Sequence, residues 1–325
     1  MEETPAPPAF ADMVEAHERI RPHIHRTPIL TSAYLNRLTG AEIFFKCENF
    51  QKGGAFKARG ACNAVFGLSD AAAANGVITH SSGNHAGALA YAAERRGVPA
   101  TVVMPRNAPE PKKAAVRDYG ARIVECEPNA TTREAVCAEV QRETGAEFVH
   151  PYNDARVIAG QATCARELIE QAEGLEIVTA PIGGGGLVSG TCLTLSALAP
   201  EVEIIAAEPK NADDAARSLR AGQIIADDAP RTIADGLKTP LKPLTWGFVK
   251  AHVSDILTAT EDEIVAAMRL IWMRMKILIE PSSAVPLAAI IANPDRFSGK
   301  RVGVILTGGN VDLDRLPWLT TGVDA

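Results

Sequence analysis

Short β-branched runs alternating with longer amphipathic stretches constrain this chain more than any other feature. The strand-like runs are Ile43–Phe45, Val77–His80, Thr101–Met104, Arg122–Cys126, Phe148–His150, Ile177–Ala180, Glu203–Ala207 and Val302–Leu306. Helical patterns lie between them, among them Ala86–Arg96, Arg133–Glu143, Val157–Gln171 and Glu261–Met275. This alternation predicts an α/β fold with parallel sheets covered by helices. Val302–Leu306 is almost continuously apolar, as expected of a strand covered on both faces. No Gly/Ser linker or 20–50-residue repeat divides the chain, so two domains would require more than one crossing between them. The KTPLKPLTW stretch, Lys238–Trp246, reads as a surface loop from its paired prolines and lysines.

Composition narrows the function classes. The chain has 325 residues, 46% apolar and 22% charged, with a net charge of −6. That excludes wholesale disorder and argues against non-specific nucleic-acid binding. Six scattered cysteines form no CxxC pair, so free thiols in a reducing cytoplasm are expected rather than zinc knuckles or a disulfide framework. No apolar run approaches the roughly 18 residues of a membrane span. The acidic, Pro-rich start, MEETPAPPAFAD, reads as a short disordered lead-in and not as a secretory signal.

Five segments can carry chemistry. Gly183–Gly186 follows an apolar strand and precedes a helix-compatible stretch. Its consecutive N–H groups and the positive end of that helix suit a phosphate, although neither a Walker loop nor G-x-G-x-x-G is matched. Lys57 follows Gly53–Gly54 and Phe56; it is either a surface lysine or a desolvated, nucleophilic amine. Ser81-Ser82-Gly83-Asn84-His85 ends the strand Val77–His80, where either ligand binding or helix capping would place it. Glu208 to Asp214 offers carboxylates and a carbonyl to a hard cation, or helix caps from Asn211 and Asp213. Thr307-Gly308-Gly309-Asn310 closes the last apolar strand, as a plain turn or with the hydroxyl facing a ligand ring.

Together these segments resemble one family, the pyridoxal-phosphate (PLP) enzymes of the serine/threonine dehydratase and serine racemase group. The resemblance runs from His25-Arg-Thr-Pro to Asn310-Val-Asp-Leu. It rests on NFQKGGAFKARGA, SSGNHAGALAYAA, VIAGQATCARELI, PIGGGGLVSG, AAEPKNADDA, TIADGLKTP, LIEPSSAV and LTGGNVDL in that order. It implies a two-domain fold-type-II PLP enzyme, tryptophan synthase β-like. Residues 1–67 and 152–325 would form the large PLP-binding domain, and 68–151 an inserted small domain closing over the cleft. Lys57 would be the Schiff-base lysine and the base that takes the α-proton. Phe56 would stack near the ring, Asn84 would bond its phenolic oxygen, and Thr307 would face its nitrogen. Gly183, Gly184, Gly185 and Gly186 with the Leu187 amide would cradle the phosphate, and Gly236 and Glu280 would complete the cofactor pocket. Ser81, Asn84 and His85 would surround the substrate carboxylate. Glu208, the Ala212 carbonyl and Asp214 would hold a divalent cation: Mg²⁺, or Ca²⁺ or Mn²⁺. The group usually has Ser before its Phe-Lys pair, and Thr-Gly before that; here Ala55 and Gly53-Gly54 stand instead.

The same resemblance implies elimination of water from a β-hydroxy amino acid to a 2-oxo acid and ammonia. The ranking is 3-hydroxyaspartate, then threonine and serine. Ser82 matches the racemase serine opposite the lysine, so an amino-acid racemase with dehydratase side activity is the alternative. A PLP-fold ligand-binding protein is the non-enzyme alternative, which Lys57 argues against. Arg133 matches an arginine of the small domain, whose fork suits a second carboxylate. Tyr152, in HPYND, departs from the mammalian racemase pattern and looks more like microbial 3-hydroxyaspartate dehydratases. The partners implied are a small amino-acid substrate and a second copy of the chain, as a homodimer in the cytoplasm, with neither nucleic acid nor membrane. No effector-binding module is expected after Asn310.

Overall fold

A computed structural model describes residues 6–227 and 229–319. Ten strands form two sheets. They are β1 (Ile29–Leu30), β2 (Glu42–Cys47), β3 (Val77–His80), β4 (Ala100–Pro105), β5 (Arg122–Cys126), β6 (Glu147–Phe148), β7 (Ile177–Pro181), β8 (Glu203–Pro209), β9 (Asp255–Ala259) and β10 (Arg301–Leu306). The larger sheet has the order β1-β2-β10-β7-β8-β9 and the smaller β5-β4-β3-β6. Every pairing is parallel except β1 with β2, an antiparallel edge that the sequence pattern did not show. The chain leaves the large sheet after β2, builds the small one, and returns at β7.

Burial explains the strands. β7 and β3 are buried at every position, and β10 at all but Arg301, because helices cover both faces. The helix Pro281–Ala292 packs beneath the large sheet, and the helix Ala155–Gln171 packs against the helix Gly186–Leu198. The helix Lys57–Phe66 approaches the helix Ala155–Gln171 so closely that a Cβ on Gly160 would lie 2.6 Å from the Gly60 Cα.

A buried ionic cluster ties this region together. Arg59 gives Glu48 two bonds, at 2.7 and 2.8 Å, and Glu167 two more, at 2.9 and 2.8 Å. Lys46 Nζ donates to Glu167 at 2.6 Å, the Thr27 carbonyl at 2.8 Å and Gln171 at 2.7 Å.

Three local expectations need correction. The strand expected at Phe148–His150 ends at Phe148, which frees His150 from the sheet. Lys238–Trp246 is not a surface loop throughout: Leu241, Leu244 and Thr245 are buried, and a helix starts at Pro243. The disordered lead-in stops short of Asp12, because a helix spans Phe10–Ile20 and buries Met13; residues 1–5 lie outside the described part. All six cysteines are free and buried. Among the described residues no helix is long and apolar enough to cross a membrane.

Candidate active site

A cleft of about 650 Å³ opens at the carboxyl ends of the strands, where ligands of parallel sheets sit. It gathers segments that lie far apart in the sequence. Phe56 and Lys57 begin a helix; Ser81, Ser82, Asn84 and His85 follow β3; Gly183–Leu187 follow β7; and Thr307 follows β10. Arg133, Tyr152, Gly236 and Glu280 line it too. Glu208, Ala212 and Asp214 do not line the cleft; they lie at the end of β8 and in the residues that follow it.

Lys57 projects into the cleft, and its Nζ donates to the Pro151 carbonyl at 2.8 Å. Burial lowers its pKa to about 8, against the opposing pull of Glu280. The ammonium is thus easier to discharge than an ordinary lysine, which is what a nucleophilic amine needs. Phe56 is held by its N–H to the Thr307 carbonyl at 3.0 Å, with its ring centroid 5.1 Å from Lys57 Nζ.

The glycine loop has a double reason for its composition. Gly185 has φ +85, and the helix from Gly186 has no side-chain cap, so its first N–H groups face the cleft. A Cβ on Gly184 would lie 2.5 Å from the Tyr152 ring, and one on Gly186 2.9 Å from Tyr152 Cβ. Tyr152 therefore packs directly on the glycine run, a contact that by itself requires glycine at both positions. Among the described residues only Thr239 Oγ1, at 3.1 Å from the Gly184 N–H, competes for these donors.

Asn84 is fixed by its neighbours. Its Nδ2 donates to Glu280 at 2.9 and 3.2 Å, and its Oδ1 accepts from Asn310 Nδ2 at 3.0 Å. Burial, reinforced by Asp235, raises the Glu280 pKa to about 7. Thr307 Oγ1 lies 3.0 Å from Ser283 Oγ. His85 does not cap the helix Asn84–Arg96, whose N-cap is Gly83. It is buried, its Nε2 lies 3.2 Å from the Val149 carbonyl, and desolvation holds its pKa well below the usual range. Ser81 Oγ accepts from the Gly83 N–H at 3.2 Å, whereas Ser82 makes no side-chain bond to any described residue.

The sequence reading passed over several cleft residues, among them His80, His150, Lys242 and Asp235. His80 and His150 line the wall, with ring centroids 5.7 Å apart. His80 ends a recognised strand, so the rule about carboxyl ends could have found it. Lys242 sits in the stretch assigned to the surface. Asp235 pairs across the cleft mouth with Lys112.

The cation candidates also differ from the capping alternative. Asn211 and Asp213 cap nothing with their side chains. Instead both Glu208 oxygens accept helix N–H groups, from Ala215 at 3.1 Å and Ala216 at 2.9 Å. Asp214 Oδ2 is buried without a hydrogen-bond partner.

A strand-framed cleft with a desolvated lysine and a glycine anion cradle fits PLP. The sequence profile of the pyridoxal-phosphate dependent enzymes matches residues 20–308, and the chain belongs to that family. It is 69% identical over 311 residues to the beta-hydroxyaspartate dehydratase of Paracoccus denitrificans (strain Pd 1222), spanning 96% of this chain and 99% of that protein. It is 50% identical over 307 residues to the serine racemase of Arabidopsis thaliana, spanning 93% of each. The crystal structure of serine racemase from Dictyostelium discoideum matches with a TM-score of 0.91 at 47% identity, covering 95% of this chain and 100% of that one.

Proposed function

We propose that this PLP-dependent lyase removes water from 3-hydroxyaspartate to leave an enamine, whose hydrolysis takes water back and releases ammonia and a four-carbon 2-oxo dicarboxylic acid. The observation that carries the substrate is Arg133. It lines the cleft, its Nε is buried without a partner, and it forms no ion pair among the described residues. An unpaired guanidinium in a shielded cleft is costly unless an anion meets it, and a substrate with two carboxylates supplies one beyond the α-carboxylate.

Bound PLP supplies an electron sink for the charge left at Cα. Lys57 would hold it and, once free, take the α-proton and carry it on Nζ. Gly183–Gly186 and the Leu187 amide would hold the phosphate, and Phe56, Asn84, Gly236, Glu280 and Thr307 would orient the ring. Ser81, Asn84 and His85 would receive the α-carboxylate, and residues 68–151 would close over it and exclude water. Ser82, with its hydroxyl unengaged in the cleft, keeps racemisation as the second reading, which the serine racemase relatives also favour. Arg133→Gln is expected to lower kcat/KM for 3-hydroxyaspartate by ~10- to 100-fold more than for serine. An equal loss on both substrates would remove the second carboxylate from Arg133.

Glu208 near the end of β8, with Ala212 and Asp214 just beyond it, fits a divalent cation. Burial raises the Glu208 pKa to about 8 and the Asp214 pKa to about 6, with no cationic side chain bonded to either. Among the described residues no cluster of three His, Cys, Asp or Glu side chains could hold a metal. Two carboxylates, the buried Ala212 carbonyl and water would be the ligand set, which suits Mg²⁺, Ca²⁺ or Mn²⁺. A cation at ~100 times its Kd should stabilise the wild type by about 2.7 kcal/mol. Asp214→Ala should lose that gain, while metal-free variant should match or exceed the metal-free wild type because a buried unpaired carboxylate is gone. Equal Mg²⁺ stabilisation of both proteins in thermal melts would place the cation elsewhere. The homodimer, which rests on the resemblance, is read by sedimentation.

A further inference from the structure

The stretch expected at the surface instead brings a cation into the cleft. Lys242 is half-buried there, and its ammonium makes neither a hydrogen bond nor an ion pair with any described residue. Its main chain is fixed independently of the side chain. The Lys242 N–H donates to Thr245 Oγ1 at 3.2 Å, and its carbonyl accepts from the Trp246 N–H at 2.8 Å, at the start of the helix Pro243–His252.

Arg133 lines the same cleft from the helix Ala130–Thr144, which follows β5 of the small sheet, whereas Lys242 lies between β8 and β9 of the large one. Both cations line the cleft whose wall also carries His80 and His150. The two imidazoles there add no charge. Burial, with the nearby cations, lowers the His80 pKa to about 4 and the His150 pKa to about 3. His150 Nδ1 accepts the N–H groups of Tyr152 and Asn153, at 3.2 and 2.9 Å, so its own N–H is on Nε2, as a neutral donor. Glu134 also lines the cleft but pairs with neither cation.

We infer that Lys242 selects for a second carboxylate, which it grips together with Arg133 across the cleft. This rests on the dehydratase reading and extends it to a residue outside the motifs that carried it. The chemistry is complementary: Arg133 offers a planar two-bond fork and Lys242 a point charge from the large-sheet segment. A monocarboxylic substrate would leave both cations without an anionic partner, which widens the discrimination.

The test compares holoenzyme carrying Lys242→Met or Lys242→Arg with the wild type, on 3-hydroxyaspartate and on serine. Lys242→Met keeps the aliphatic stem and the main-chain bonds. It should lower the hydroxyaspartate-to-serine ratio of kcat/KM by ~10- to 100-fold, mainly through KM, and Lys242→Arg should restore most of it. A loss shared equally by both substrates, or a ratio unchanged by the methionine, overturns the proposal. Succinate, a dicarboxylate without an amine, separates this from the substrate reading. Wild-type protein that dehydrates serine but not 3-hydroxyaspartate sinks that reading. Succinate inhibition of serine turnover then decides Lys242 alone: at least ~10-fold weaker inhibition of Lys242→Met upholds the dicarboxylate site, and unchanged inhibition removes it.

Discussion

Lys57→Ala is expected to abolish turnover while leaving a folded protein. The lysine projects into the cleft that the glycine run also lines, and burial lowers its pKa to about 8. Removing a positioned proton carrier alone costs ~10²- to 10⁴-fold in rate, and on the proposed role of Lys57 the covalent anchor of the cofactor would be lost as well. The structural penalty is small by comparison. The side chain's one hydrogen bond is to the Pro151 carbonyl, so the unmet acceptor costs ~1–3 kcal/mol. Circular dichroism and a melt should show the native fold slightly destabilised, and the cofactor colour should come off on dialysis. Turnover retained within tenfold of the wild type would take Lys57 out of its role.

Arg59→Ala should have the largest effect on stability. Arg59 lies two residues beyond Lys57, is wholly buried, and meets Glu48, Thr163 and Glu167 with its donors. Alanine would leave Glu167 buried with Lys46 and Glu48 buried with the Thr27 hydroxyl but no cation bonded to it. Breaking such a cluster from one side costs ~3–5 kcal/mol, a large share of the ~5–15 kcal/mol that holds a domain together. Arg59→Lys should fail almost as badly, because an ammonium cannot reach both carboxylates with paired bonds. The damage should extend to activity below the melting temperature, since the same helix begins with Lys57. Urea unfolding reads the prediction directly; a variant within 1 kcal/mol of the wild type contradicts it.

What the sequence disclosed depended on whether its signal was local. Val77–His80 and Glu261–Met275 were legible to the residue, because apolar periodicity and flanking polar residues mark them without help from the rest of the chain. β9 was missed: Asp255–Ala259 places only Ile256 and Ala259 in the core, too thin a pattern to stand out. The edge strand β1 has two residues and exists because Ile29 and Leu30 meet Lys46 and Phe45.

The site divides in the same way. The glycine run and Lys57 announced themselves by composition and by resemblance. Arg59 did not, although it sits inside a recognised motif, because Glu167 is 108 positions away and only folding brings them together. Lys242 was misassigned for a related reason. Prolines and lysines correctly marked irregular chain, but buried Leu241 and Leu244 turn that segment inward. The need for Gly184 and Gly186 was read as phosphate binding, while the Tyr152 ring packed on them was not visible in the sequence.

The most direct test of the central claim is a product analysis with purified enzyme. The stereoisomers of 3-hydroxyaspartate, L-serine and L-threonine are supplied separately, and 2-oxo acid, ammonia and amino-acid configuration are followed together. The account predicts stoichiometric ammonia and four-carbon 2-oxo dicarboxylic acid from a hydroxyaspartate isomer, at a kcat/KM above that for serine or threonine. Inverted amino acid as the main product, or efficient turnover of serine and threonine with none of hydroxyaspartate, would contradict it.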